Sequence, residues 1–484
     1  MTTKPQSVHV ESLKGEDDAL GISPPNDPEG FKEKREEPKT APDGITILNP
    51  QPSNSSEDPL NWSNSKKGAV LAVVIACSFL PDYGSVTGAA TLGLQAKEYG
   101  NSPDTVNHSQ AGNQFMVGAG GVIAVMLSAY FGRLPVLFWF MVAAFATSVG
   151  QAGSHGFIGF FIPRVMNGFF AGVAQGGGLM FIRDMFFHHQ QPRKINLWQS
   201  CVILSPFMGP LLASFMTIQL SWRWPFWIYT IETGLALLAV IFLAEETYYD
   251  RSLSVSDQPV LQSRWKRLVG IEQWHSRRLR NTFPQAILRS VRILKKPVVL
   301  LVNIYYVCIF AWLVAINATL PIFLTAGYGF GSKQIARYYT RRSGGRFDPE
   351  SRLIIVWFAI LFMVAGLILV GFALGRSYHY MLVALGWGCY TFGVIINSAS
   401  LNMYLLNSYP EASGEVGMWI NFSRTAGGFI ISYFQVQWVG QVGAEVTFGT
   451  QAAVCVAVFP IVVVLQVFGK RMRAWGGELN FATN

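Results

Sequence analysis

Eleven apolar segments set the terms for this chain, at roughly 68–92, 110–131, 134–151, 156–181, 195–219, 223–244, 298–323, 353–374, 379–405, 416–438 and 446–468. A bilayer core about 30 Å thick takes about 20 helical residues to cross, and each segment reaches that length or nearly so. With no water in hydrocarbon to satisfy backbone amides, such segments span as helices. The expected fold is therefore an all-α integral membrane protein. A charged fraction of 13%, about half the soluble norm, agrees. The net charge of +9 raises nucleic acid as a partner. The basic residues, however, cluster between apolar runs, where cytoplasmic loops and anionic headgroups account for them. Cys77, Cys201, Cys308, Cys389 and Cys455 lie in or beside apolar segments. They read as small buried side chains, with neither disulfides nor a metal site expected.

Residues 1–65 are polar, rich in Pro, Ser, Glu and Lys, and read as a disordered cytosolic arm. They lack the basic-then-apolar start of a signal peptide, so the first helix is expected to direct insertion. Six apolar segments follow in 66–244, then a basic central loop at 245–296 with eleven Arg or Lys. A second helical bundle occupies 297–469, and 470–484 reads as a cytosolic tail. Positive-inside reasoning puts the N-terminus, Arg133, the loop from Arg183 to Lys194 and the 245–296 loop on the cytosolic side. Alternation then fails. Lys333, Arg337, Arg341, Arg342 and Arg346 follow the seventh segment, which places a strongly basic loop outside.

Several motifs carry a resemblance. The run Ser205-Pro-Phe-Met-Gly209-Pro210-Leu-Leu-Ala213-Ser214 resembles the antiporter motif G-x-x-x-G-P-x-x-G-G on helix 5 of the major facilitator superfamily. Gly209 and Pro210 match, whereas Ser205, Ala213 and Ser214 replace glycines with other small residues. Asp58-Pro-Leu-Asn-Trp-Ser63 resembles the lead-in of fungal members. Gly132 and Arg133 are what remains of the charged motif between helices 2 and 3, leaving its Asp-based latch without the usual acid. Arg164-Val-Met-Asn-Gly168 resembles R-x-x-x-G on helix 4, and Asn421-Phe-Ser-Arg424-Thr-Ala-Gly427-Gly428 resembles N-F-x-R-T-x-G-G. Almost everything after residue 58 thus resembles the fungal drug:proton antiporter branch, whose members have twelve helices.

That resemblance implies two pseudo-symmetric helical bundles with a substrate site between them near the midplane. It also accounts for the failed alternation. Tyr328 to Gln334 resembles the external loop after helix 7, and the stretch from Ile335 resembles the cytosolic loop before helix 9. Helix 8 is expected to be missing between 334 and 335, giving eleven segments where twelve belong. A re-entrant or poorly inserted seventh segment is the other reading.

Four charged residues within apolar segments are candidates for proton coupling: Asp82, Glu232, Arg164 and Arg424. A carboxyl in hydrocarbon resists ionisation, which suits it to loading and releasing a proton. Asp82 equally suits a helix break near outer water, and Glu232 a lateral hydrogen bond. Arg164 equally suits snorkelling to the interface, and Arg424 bonding to carbonyls of a kinked helix. Gly168, Gly172 and Gly176 make one smooth helix face, which favours packing. Asn303, Tyr305, Trp312, Asn397 and Asn402 are candidates to line a cavity, although interhelical bonds explain the asparagines as well. Asn107-His-Ser is a glycosylation sequon in the first external loop.

No Walker A run, metal-spaced Cys/His set or nucleophile elbow is present in the sequence, so neither an enzyme nor a cofactor is expected. The expected function is proton-coupled export of a small organic compound (a drug, toxin or secondary metabolite) by alternating access. Its partners would be that substrate, protons and the bilayer, for a monomer in the plasma membrane. The alternatives are proton-coupled uptake on the same fold, or a non-transporting sensor that has lost a helix.

Overall fold

The computed structural model describes residue 39 and residues 48–251, 263–276, 282–328, 352–409 and 412–476. Among the described residues the protein is helical, with two short 3-10 turns and no strand. Up to the central segment run α1 (Asn64–Val86), α2 (Leu92–Tyr99), α3 (Pro103–Phe131), α4 (Arg133–Gly153), α5 (Phe157–Ala171), α6 (Val173–Met185), α7 (Gln191–Met216) and α8 (Trp224–Leu243). The central segment carries α9 (Arg264–Val269), α10 (Ile271–His275) and α11 (Phe283–Leu294). After it come α12 (Pro297–Tyr328), α13 (Arg352–Gly375), α14 (Tyr380–Ser408), α15 (Ser413–Val442), α16 (Ala444–Val458) and α17 (Pro460–Gly476).

Nine helices or nearly continuous helix pairs among the described residues are long and apolar enough to cross a membrane, and α11 with α12 passes the same test across a 76° bend. The remaining apolar segment, 416–438, lies within α15, a 30-residue helix with an unusually polar buried side. All eleven segments expected from the sequence are therefore helical. Their ends follow local chemistry. The Ser102 hydroxyl accepts from the Thr105 amide ahead of Pro103 to start α3, and Gly132, at φ 95°, ends it. A bulkier residue would strain at that φ.

Helices α1 to α8 pack among themselves, with α1 lying against α3, α5, α6, α7 and α8. In the later set α13 packs on α14 and α16, and α12 packs on α15. α15 joins the sets, lying along α3 and α6. α7 touches α14 through the edge-to-face rings of Phe207 and Trp387, centroids 5.3 Å apart.

Small residues make the closest approaches. A Cβ on Gly168 would run into the Asn113 carbonyl, and one on Gly172 into the Val117 carbonyl. The glycine face of α5 and α6 is thus a packing face against α3. Two expectations need correction. The 245–296 stretch is not plain loop, since α9, α10 and α11 lie within it. The last helix runs to Gly476, and Arg473 there reaches the Tyr404 and Ser408 hydroxyls, 3.3 Å each. The 334–335 junction and the basic residues from Lys333 to Arg346 lie outside the described residues. α12 itself is one unbroken helix of 32 residues.

Candidate functional site

Pro81 lies inside α1, and the next residue, Asp82, is almost fully buried. Its Oδ2 accepts from Arg424 Nη1 on α15 at 2.7 Å and from Gln175 Nε2 on α6 at 2.9 Å. Its Oδ1 accepts from Gln114 Nε2 on α3 at 3.1 Å. Arg424 donates through Nη2 to Gln175 Oε1 (2.8 Å) and to Asn421 Oδ1 (3.1 Å). Gln175 therefore holds both members of the ion pair at once, its amide nitrogen on the acid and its oxygen on the base. Taking two charges out of water is costly unless such extra bonds satisfy them. Four helices from both sets meet at this one cluster.

The side chains around it join neighbouring helices. Trp198 on α7 donates to Ser78 Oγ at 2.8 Å, and Ser78 donates to the Ala174 carbonyl at 2.9 Å. Ser423, beside Arg424, donates to Asn303 Oδ1 on α12 at 2.7 Å. Tyr305 donates to Asn397 Oδ1 (3.1 Å), and Tyr306 to Asn402 Oδ1 (2.6 Å) on α14. Four of the five cavity candidates thus make hydrogen bonds between helices, the alternative left open by the sequence. Trp312 is buried with them.

Of the four proton-coupling candidates, the structure brings two together and leaves two apart. Arg164 is fully buried and does not snorkel. Its Nη2 donates to the Ser85 carbonyl at 2.9 Å, and its guanidinium lies between the rings of Phe160 and Phe226, 5.3 and 5.1 Å from their centroids. Glu232 is half-buried on α8 beside the Tyr83 hydroxyl. Neither touches Asp82. Gln114, by contrast, carried no motif in the sequence; its signal was the run of amides Asn107, Gln110, Asn113 and Gln114 in the first half of α3.

The Ser205–Ser214 run folds as part of a continuous α7 that carries Pro206 and Pro210 internally. Proline has no amide to donate to the carbonyl four residues back. Ser205 Oγ donates instead to the Val202 carbonyl that Pro206 leaves unpaired, at 2.8 Å. Ser214 Oγ donates to the Pro210 carbonyl at 2.6 Å, and Ala213 is buried. Gly209 faces α1, where a Cβ would stand 2.8 Å from the Tyr83 carbonyl oxygen. The motif's central glycine thus seats α7 on α1 one residue from Asp82.

At the end where α3 stops and α4 starts, the missing motif acid has a substitute. Arg133 Nε pairs with Asp184 Oδ2 at 2.9 Å, and its guanidinium covers Tyr248 at 4.6 Å. Glu246 accepts from the Arg133 and Leu134 amides, 3.0 and 3.3 Å, a carboxylate on the start of α4 where the helix dipole favours it. Arg251 bridges the Asp184 carbonyl (3.2 Å) and Asp58 (2.8 Å). Burial would raise the Asp58 carboxyl, but the Arg251 bond and the Ser53 and Leu60 amides outweigh it and hold it below the usual carboxylate value.

One reading is overturned by geometry. Asn107 lies in the second turn of α3, fully buried, and donates to the Ser432 carbonyl of α15 at 3.4 Å. His108 next to it stacks on Tyr433, centroids 4.3 Å apart. An amide turned into a helix interface is no acceptor for a glycan in this conformation.

Comparison with known proteins agrees with this architecture. The family model described as Major Facilitator Superfamily matches residues 71–432. An uncharacterised MFS-type transporter of Schizosaccharomyces pombe is 22% identical, over 90% of this chain and 89% of that protein. The MFS transporter cpaT of Aspergillus oryzae is 23% identical, over 86% of this chain and 89% of that protein. Among solved structures, the partially occluded inward-open xylose transporter XylE of E. coli superposes with a TM-score of 0.59 at 15% identity. That match covers 84% of this chain and 98% of XylE. The human organic anion transporter MFSD10 superposes with a TM-score of 0.58, also at 15% identity, over 82% of this chain and 99% of its own.

Proposed function

Because the chain belongs to the major facilitator superfamily, whose members are multi-pass membrane transporters, we propose that it exports a small organic compound in exchange for protons. The observation that carries this reading is the buried Asp82–Arg424 pair, which ties α1 of the first helix set to α15 of the second. In alternating access the two sets rock about a central site. With Asp82 ionised, the pair holds α1 and α15 together. A proton on Asp82 removes the charge that Arg424 faces, leaving the guanidinium on Gln175 and Asn421. The tie loosens and the sets part. Loss of the proton to the other side restores the pair. Glu232, beside Tyr83, is the second candidate carrier.

The proposed setting is the plasma membrane, with the N-terminus and central segment cytosolic and the protein monomeric. The two helix sets are the two bundles of the family, the second lacking helix 8 at the 334–335 junction. Genomic sequence between those codons tests that part directly.

Proteoliposomes loaded with rhodamine 6G test the coupling. Dye loss is expected to quicken when the side opposite the dye is acidic, and Asp82→Asn is expected to remove that response. A wild-type rate indifferent to the gradient overturns proton coupling. A second reading, uptake, is favoured by Ser205, Ala213 and Ser214 standing where the exporter motif has glycine. Dye accumulating in expressing cells, rather than leaving them, would decide for uptake.

A further inference from the structure

α11 has three distinct sides, at 3.6 residues per turn. Ala286, Ser290 and Ile293 are buried, where α11 lies on α3 and α15. Next to them runs an apolar arc that the described residues leave partly exposed, with Phe283 set edge-on to Tyr130: Phe283, Ile287, Leu288 and Val291 are 41, 37, 47 and 37% exposed. Arg289 and Arg292 take the remaining arc, Arg289 paired with Glu415. The axis of α11 is turned by 76° from the adjoining part of α12. If α12 crosses the bilayer, α11 lies nearly in its plane.

α9 packs on α4, and α10 follows it. Trp139, half-exposed on the outer face of α4, donates its indole N–H to the Val269 carbonyl at 3.1 Å. Trp274 stacks on Phe131, the last residue of α3, centroids 6.0 Å apart. These contacts hold α9 and α10 against the flank of the bundle at the level where α4 begins. There Trp265, Ile271 and Trp274 remain 61, 47 and 49% exposed. The segments 263–276 and 282–296 together hold seven Arg or Lys. Arg264 pairs with Glu245, Arg267 with Glu245 and Glu272, and Arg289 with Glu415, while Arg292 and Lys295 are exposed.

A helix in the membrane plane with an apolar arc, tryptophans and a basic edge meets both parts of a lipid interface. We propose that α9, α10 and α11 form a collar seated in the headgroup layer of the adjoining leaflet, where it selects anionic phospholipid. The acyl boundary takes the apolar arc, and Arg292 and Lys295 meet the phosphate and carboxylate groups. α11 also spans α3 and α15, so the lipid would brace the contact between the two helix sets at this end. The inference rests on the membrane placement of the transporter reading, but not on its substrate or coupling.

Hydrogen–deuterium exchange of the full-length protein tests it, in nanodiscs of phosphatidylcholine alone and of phosphatidylcholine mixed with phosphatidylserine. Exchange of the peptides spanning 264–276 and 283–294 is expected to slow in the mixed discs by about fivefold per basic residue engaged. Arg292→Gln with Lys295→Gln is expected to abolish the difference between the discs. Ile287→Ser with Val291→Ser is expected to speed exchange in both. Identical wild-type exchange in the two lipids overturns the proposal, as does protection that survives unchanged in detergent. A dye flux indifferent to pH would overturn proton coupling while leaving this result standing.

Discussion

Asp82 on α1 and Arg424 on α15 are 342 positions apart in the chain, yet their Oδ2 and Nη1 atoms lie 2.7 Å apart in the interior. The contact joins the two helix sets at a point where water is excluded. Asp82 also takes two amide donors, while Arg424 shares Gln175 with it.

Removing one partner of such a pair leaves the other charge buried, a loss of about 3–5 kcal/mol. Arg424→Gln and Asp82→Asn are each expected to lower the thermal unfolding midpoint in detergent. The double variant, which leaves two neutral amides facing each other, is expected to recover part of the loss. A double variant less stable than both singles would show that the pair is not the source of the effect.

How much of this was legible beforehand depends on the range of the interaction. Helices are set by local apolar runs and by caps such as Ser102 and Gly132, so all eleven were readable. The exposed charges of the central segment were readable too. α9 and α10 are only six and five residues long and depend on packing, whereas α11 carried a local signal in its Thr282–Gln285 capping box and three-sided spacing. Asp82 and Arg424 could be singled out as charges in hydrocarbon. Nothing in the sequence said that they face each other, or that Gln114 and Gln175 hold them. Arg133 resembled a motif that had lost its acid, and Asp184, some fifty residues later, restores the partner from another helix.

Gly209 tests how tightly α7 must lie on α1. A methyl there meets the Tyr83 carbonyl, so the backbones must separate. Overpacking of this kind costs about 1–3 kcal/mol. Gly209→Ala is expected to lower both stability and dye flux, and Gly209→Val more so. Gly440→Ala, where nothing lies within 4 Å of the added atom, serves as the control and is expected to leave dye flux unchanged and stability equal or slightly higher.

Asn107 makes a negative prediction. Expression in a glycosylating host followed by endoglycosidase is expected to leave electrophoretic mobility unchanged at this site. Asn107→Gln would then migrate with the wild type but lose the bond to Ser432. A mobility shift that disappears in Asn107→Gln would mean that α3 and α15 separate far enough to expose the sequon.

Asp58 gives the fold a dependence on acid. Its carboxyl is held below the ordinary value of 3.8, so its bonds to Arg251, Ser53 and Leu60 favour the folded state at every pH above that value. The contribution is lost as pH falls through the lower, folded-state value, because the unfolded chain takes up the proton first. Pepsin, which works in acid, can read this as cleavage within the stretch 48–63. Arg251→Gln removes a donor and a positive charge, which moves the folded-state value back upward. The variant is therefore expected to be cut at a higher pH than the wild type. Equal cleavage of the two proteins across the acid range would mean that Arg251 does not hold this stretch in place.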